Sequence, residues 1–490
     1  MKKRNDYIKW MRYILIIIMA EAYLVFFSVS TSPLYGNFFG GDSAFFILVG
    51  KGMKYGYLPY RDFFDMKGPW LFVVEWIGQV IREGRFGAFI IQSVNMSGAM
   101  IMFDKLIGIG RDNRTIYEVA LLLPLFGMAV FSVGGGNLTE ELAFFPLSVC
   151  LYLGTAFVHD CNRRHKPLHA GIYGFFFGFL ALIRITNAAL LCAIVLTIVI
   201  ILIINREWKN LLYNAGAFVI GLLIAVLPMV AFFASKGLLY EMLSQVFLYG
   251  VQYTSSAGSE GSGFVLLFTG TYKAALFPII IGLATSLLFI KHNWRITLLL
   301  WSSSIASLAA IALSGRNFEH YYALLVPVIA LIIFILCICV SEHNWDAKKG
   351  VAIVCFVVFI LSFYGICMLD REYVTYSKTV AQGNASDEAI VDVASHITDD
   401  ATVYCWTAQP RWYMYADKFP CIRYCGWQTE QMNADPSIQE ELEKIFRYNP
   451  PNWLVLENGN HELPGFVTES RDKFYQEVYS NDYWILYNKI

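Results

Sequence analysis

Charge is what this chain has least of. Only 15% of its 490 residues are Asp, Glu, Lys or Arg, while 57% are hydrophobic. A soluble protein of this size rarely has that composition. The few charges nearly cancel, at a formal −1, so there is no basic excess to suggest a nucleic-acid partner. Zinc-type cysteine spacing is missing as well. Most of the ten cysteines sit in apolar runs, where cysteine is usually a small core residue. The chain has no internal repeat and no low-complexity segment.

What is present is a series of apolar runs of roughly 18–22 residues, the length a helix needs to cross a bilayer. Apolar length and loop charge predict about eleven spans, at 11–31, 86–107, 115–133, 141–158, 168–184, 187–204, 211–234, 270–290, 295–313, 321–340 and 350–369. The first run lacks a small-residue cleavage site and reads as a retained helix. The basic loops are the N-terminus (Lys2, Lys3, Arg4, Lys9, Arg12), Arg111/Arg114, Arg163-Arg164-His165-Lys166, Arg206/Lys209, Lys291 to Arg295, and Lys348/Lys349. With the N-terminus inside, all of them fall on the cytoplasmic side. Only Arg184-Ile185-Thr186-Asn187 separates the fifth and sixth runs, which predicts a tight outer hairpin; one long kinked helix is the rival. The predicted architecture is an α-helical polytopic membrane protein, in which residues 1–370 hold the spans and a first outer loop at about 32–85. Residues 371–490 have the composition of a soluble domain. Helical patterns at Val391–Ile397 and Ile438–Phe446, with strand patterns at 402–406, 453–456 and 483–487, predict a small outer α/β domain. Its Cys405, Cys421 and Cys425 allow one disulfide with one cysteine left over.

On this topology the polar residues at the span ends gather on one face. Asp42 follows Gly40-Gly41 just past the first span. It suits a helix N-cap for the run from Ser43 to Tyr55, and equally a general base for an acceptor hydroxyl. Asp62, Asp65 and Lys67 lie in the stretch Tyr60-Arg61-Asp62-Phe63-Phe64-Asp65-Met66-Lys67-Gly68-Pro69. A surface turn with a salt bridge would explain them. An ammonium at headgroup level also suits a phosphate. Glu140 and Glu141 open a span after a glycine run. One is explained by the preference for carboxylates at a helix N-terminus; the pair invites a sugar hydroxyl or a divalent cation. Arg184, Arg316 and His320 sit at outer span ends, where snorkelling is common. A helical continuation would put Arg316 and His320 on one face as an anion site. Glu21, inside the first span, reads as a helix-packing residue.

These residues together resemble the GT-C class of polytopic glycosyltransferases, in particular the superfamily of the protein O-mannosyltransferases and the aminoarabinose-to-lipid A transferase. The resemblance rests on Gly41-Asp42, on Pro59 to Pro69, and on Arg316…His320-Tyr321 ahead of a late span, and it covers most of residues 1–340. It implies transfer of a sugar from a polyprenyl-phosphate-sugar donor to a glycan, lipid or protein acceptor, by a multi-pass protein of the cytoplasmic membrane with its active site and C-terminal domain outside. Asp42 matches the family's catalytic first-loop carboxylate, and Lys67 its phosphate-contacting lysine. Arg184, Arg316, His320 and Tyr321 are then expected at the donor phosphate. Asp62, Asp65, Glu140 and Glu141 are expected at sugar hydroxyls, beside the base, or on a divalent cation, the one candidate cofactor. Gly68 stands where the family carries proline, and Met66 where relatives often carry a polar residue, which puts a metal role there in doubt. Two other readings share some of these features: a polymerase or ligase of lipid-linked glycans, and a transporter or flippase of a lipid-linked sugar. A flippase calls for charges or broken helices near mid-membrane.

Overall fold

In a computed structural model, the described residues are 2–35, 40–111, 114–133, 135–160, 164–256, 263–269, 276–289, 293–316, 318–342, scattered positions from 357 to 378, 385–398, 401–407, 409–459 and 463–490. The chain divides into two compact units. The first comprises residues 1–28, 90–231 and 260–374; the second comprises 29–89, 232–259 and 375–490.

Helices dominate the first unit. The ten runs expected between residues 11 and 340 each fall on a helix, from Lys2–Phe27 to Val326–Glu342. The run expected at 350–369 lies largely outside the described residues. Seven helices among the described residues are long and apolar enough to cross a membrane. The fifth and sixth runs are two helices, Pro167–Ala181 and Ala189–Ile204, and a short 3-10 turn at Ile185–Ala188 separates them. Contacts between helices rely on small and hydroxylated residues, because burial against lipid-like neighbours supplies little drive in a bilayer. Thr197 Oγ1 lies 2.9 Å from Ser302 Oγ. At Gly174 a Cβ would stand 1.9 Å from the Phe218 carbonyl, so only glycine permits this approach. Glu21 accepts hydrogen bonds from Ser93 (2.9 Å) and Ser97 (3.3 Å), which ties two helices together as expected.

The second unit carries a four-stranded sheet: β1 (Val403–Trp406), β2 (Trp453–Glu457), β3 (Tyr475–Ser480) and β4 (Trp484–Lys489). The strand order is β1-β2-β4-β3. β1 runs parallel to β2 with Val403 opposite Trp453, and the remaining neighbours are antiparallel. The parallel pair needs a long crossover. Helix Pro436–Tyr448 lies in it, capped by the Asp435 carboxylate on the Ser437 N–H at 2.9 Å. Ile438, Leu442 and Phe446 are spaced four apart and buried along one face. β3, with its exposed residues, was not visible in the sequence. Cys405, Cys421 and Cys425 are all unpaired, so the disulfide that the sequence allows is not formed.

Candidate active site

Asp42, Asp62, Asp65 and Lys67 belong to the second unit. Glu140, Glu141, Arg184, Arg316, His320 and Tyr321 belong to the first.

Two helices of the second unit bracket its loop, Gly41–Lys54 and Pro69–Ile81. Gly40 holds the N-cap position of the first and no side chain caps it, so Asp42 lies in the first turn. The capping role considered for Asp42 is therefore not the one it has. Its partly exposed carboxylate starts a helix whose buried face is Ser43 to Gly50. Pro69 begins the second helix behind an extended Gly68. A fixed φ suits that position, and the proline's missing N–H costs nothing there.

Between these helices the chain turns through Tyr60, a buried non-glycine residue at φ 70°. Such a conformation persists only where its surroundings fix it. Here the Tyr60 N–H donates to Phe63 O (2.8 Å). Its carbonyl accepts from Gln245 Nε2 (2.8 Å), and its hydroxyl donates to Lys67 O (2.8 Å). Gln245 Oε1 also accepts from the Asp65 N–H at 3.2 Å, so one amide clamps both ends of the motif. Phe64 leaves the loop and joins the core of the C-terminal domain. It sits 4.8 Å from the Tyr249 ring and 5.0 Å from the Tyr424 ring, and its N–H donates to Arg423 O.

The carboxylates in this loop differ in use. Asp62 receives two hydrogen bonds from Arg61, at 2.7 and 3.0 Å, and the Leu58 N–H at 2.7 Å. It holds the turn together. Asp65 is half-buried and accepts the Lys67 N–H at 3.2 Å. Burial pushes its carboxyl above the ordinary range; Lys67 pulls it back, and the nearby Asp42 carboxylate adds to the rise. Asp42, Asp65 and Lys67 are thus electrostatically coupled, with the lysine just ahead of the N-terminal end of helix Pro69–Ile81.

In the first unit, Glu140, Arg184, Tyr321 and His320 come together. Buried Glu140 pairs with Arg184 and accepts from Thr139 Oγ1 at 2.8 Å. The Arg184 guanidinium lies over the Tyr321 ring at 4.1 Å, and the His320 ring is 4.6 Å from the same tyrosine. Asn187 donates to Thr139 O at 2.9 Å. Glu141 points elsewhere. It accepts from Gln92 Nε2 (2.8 Å) and the Asn137 N–H (2.7 Å), while Asn95 donates to its carbonyl (2.7 Å). It fastens the glycine turn, in which Gly136 has φ 89° and a Cβ would stand 2.0 Å from Ser28 Oγ. The shared face expected for Arg316 and His320 does not form. Helix Trp294–Ala312 ends before Arg316, which sits in a bend, and helical structure returns at Glu319 as a 3-10 segment. Among the described residues, no group of three or more His, Cys, Asp or Glu is placed to hold a metal ion.

Gln245 and the Gln92/Asn95 pair were missed in the sequence. The only signal for Gln245 was a single amide in the apolar run Leu243–Tyr249.

The membrane-length helices and the terminal α/β domain define an α-helical polytopic membrane protein whose fold is already known. Two solved structures share that fold, both of ArnT, the aminoarabinose-to-lipid A transferase, from Cupriavidus metallidurans. One is bound to undecaprenyl phosphate and is 12% identical, with a TM-score of 0.65 over 98% of each chain. The other, in the apo state, is 12% identical, with a TM-score of 0.63 over 98% of each chain. No family model matches the sequence, and no curated protein matches it.

Proposed function

We propose that this protein transfers a sugar from a polyprenyl-phosphate-sugar to a cell-envelope acceptor on the outer face of the cytoplasmic membrane. The observation that carries the reading is the placing of Asp65 and Lys67 on a turn fixed by the hydrogen bonds of buried Tyr60 and Gln245, with Asp42 in the first turn of the preceding helix. The likeness in fold to an enzyme crystallised with undecaprenyl phosphate supports it.

In this reading Asp42 takes the proton of the acceptor hydroxyl as its oxygen bonds to the anomeric carbon. The bond from that carbon to the phosphate oxygen breaks, and the lipid phosphate leaves with the electron pair. Inversion follows from attack opposite the leaving group. Lys67 stabilises the charge that develops on the phosphate, helped by the N-terminal end of helix Pro69–Ile81. A phosphate leaves readily, so no strong general acid is needed. Asp65 contacts a sugar hydroxyl or orients Asp42. Glu140 holds Arg184, with Tyr321 and His320, at the ends of the spans. Asp62 and Glu141 keep the backbone in place. The C-terminal domain helps to select the acceptor.

Mass spectrometry of envelope glycans from cells with and without the protein tests this reading. One sugar should disappear from one acceptor class, and the purified protein should restore it from the matching lipid-phosphate donor. A ladder of repeats lost together would favour the polymerase or ligase. Unchanged glycans with altered sidedness of the lipid-linked sugar would favour the flippase.

A further inference from the structure

The first unit contains a cavity of about 510 Å³ at the basic end of its first span, within the usual size for ligand sites. Five cations line it: Lys9, Arg12, Lys105, Arg111 and Arg114. Among the described residues, the carboxylates lining it are Asp6 and Asp104. Asp104 is buried between Arg12 and Arg114, the latter at 2.8 Å. Behind the wall, Glu118 takes Arg111 at 2.9 Å and Arg114 at 3.2 Å. These arginines also satisfy the end of helix Arg85–Ile107: Arg114 donates to Asp104 O at 2.6 Å and Arg111 to Ile107 O at 3.0 Å. Cations at a helix C-terminus are expected, so the arginines have a structural role.

Lys105 shares that position, in the last turn of the same helix, while Lys9 comes from the first span's helix. Their ammonium groups approach one ring, Tyr13, at 5.8 and 5.9 Å from its centroid. Neither forms an ion pair with a carboxylate among the described residues. Two like charges converging on one phenol at the mouth of a net-positive cavity make a site for an anion. Beside Tyr13 the same helix carries an exposed apolar stripe: Trp10, whose ring centroid lies 6.1 Å from that of Tyr13, and Ile17, one turn further on the same face. Exposed aromatic and aliphatic residues next to a basic cluster are the pattern of a membrane interface.

We propose that this cavity binds the phosphodiester headgroup of an anionic phospholipid, with Lys9 and Lys105 on the phosphate and the acyl chains along Trp10 and Ile17. Basic pockets between membrane helices on the positively charged side hold such headgroups. The apolar stripe favours a lipid over free phosphate, which shares the charge chemistry and has no use for the stripe.

The test uses the full-length protein in detergent, with lipid binding read by native mass spectrometry and by thermal unfolding. The probes are phosphatidylglycerol, cardiolipin, phosphatidylcholine and inorganic phosphate. The wild type should retain the two anionic lipids and unfold at higher temperature with them than with phosphatidylcholine. Lys9→Gln/Lys105→Gln should bind them about tenfold or more weakly. It should unfold like the wild type in phosphatidylcholine, because the Arg12–Asp104–Arg114 cluster is untouched. Equal retention of anionic lipid by wild type and variant would overturn the proposal. So would a thermal shift that inorganic phosphate alone reproduces.

Discussion

The same residue types serve two purposes in the two units. In the second unit, Asp42, Asp65 and Lys67 are part-exposed, and burial and mutual proximity leave one carboxyl displaced from its ordinary range. In the first, Glu140 and Glu141 are each 1% exposed. There, Arg184 and Thr139 hold the Glu140 side chain, and Gln92 and the Asn137 N–H hold that of Glu141. A carboxylate with no access to solvent is a poor proton acceptor for an incoming hydroxyl, even where, as at Glu141, one oxygen has no hydrogen-bond partner among the described residues. Access to solvent, more than residue type, separates the carboxylates of the loop from those that hold the scaffold.

This contrast can be broken most sharply at Asp42. Asp42→Asn keeps the shape and removes the charge, so transfer should fall by about two to four orders of magnitude with thermal unfolding unchanged. Normal transfer by this variant would move the base elsewhere. Glu140→Gln should do the reverse, acting on folding. It leaves the Arg184 guanidinium uncompensated at a cost of about 3 kcal/mol or more, visible as a lower unfolding temperature. Arg184→Met added to it should recover part of that loss, because the stranded charge is gone. Lys67→Met should weaken donor use about tenfold to a hundredfold in initial rates against donor at fixed acceptor, with acceptor dependence little changed and Lys67→Arg intermediate. The smallest effect is a pH dependence. Asp65 binds its proton more tightly folded than unfolded, so its ionisation lowers folded-state stability as pH rises from about 3.8 through its raised value. Asp65→Asn lacks this loss. Its unfolding temperature should gain on wild type as pH rises from about 4, and a constant difference would remove the electrostatic coupling from the account.

Much of this was legible because it is local. Apolar run length located the helices through residue 340, and the short break at Arg184 was visible as two runs too close to be joined by an ordinary loop. Amphipathic spacing found Ile438–Phe446, and strand composition found three of the four strands. The pairings were not legible. Nothing in the order of residues says that Gln245 reaches Tyr60, 185 positions away, or that Gln92 and Asn95 in an apolar helix secure Glu141. Arg316 and His320 were assigned one face by assuming helical periodicity where Gly315, at φ 66°, turns the chain instead.

Phe64 has a consequence for inheritance. Its ring belongs to the reactive motif by sequence and to the core of the terminal domain by packing. A tail exchanged between relatives without its loop would leave that aromatic without its pocket, at roughly 2–3 kcal/mol for the exposed ring, and would slacken the turn that carries Asp65 and Lys67. Residues 29–89 and 375–490, far apart in sequence, therefore behave as one module. Paired changes in both should be tolerated better than changes in either alone.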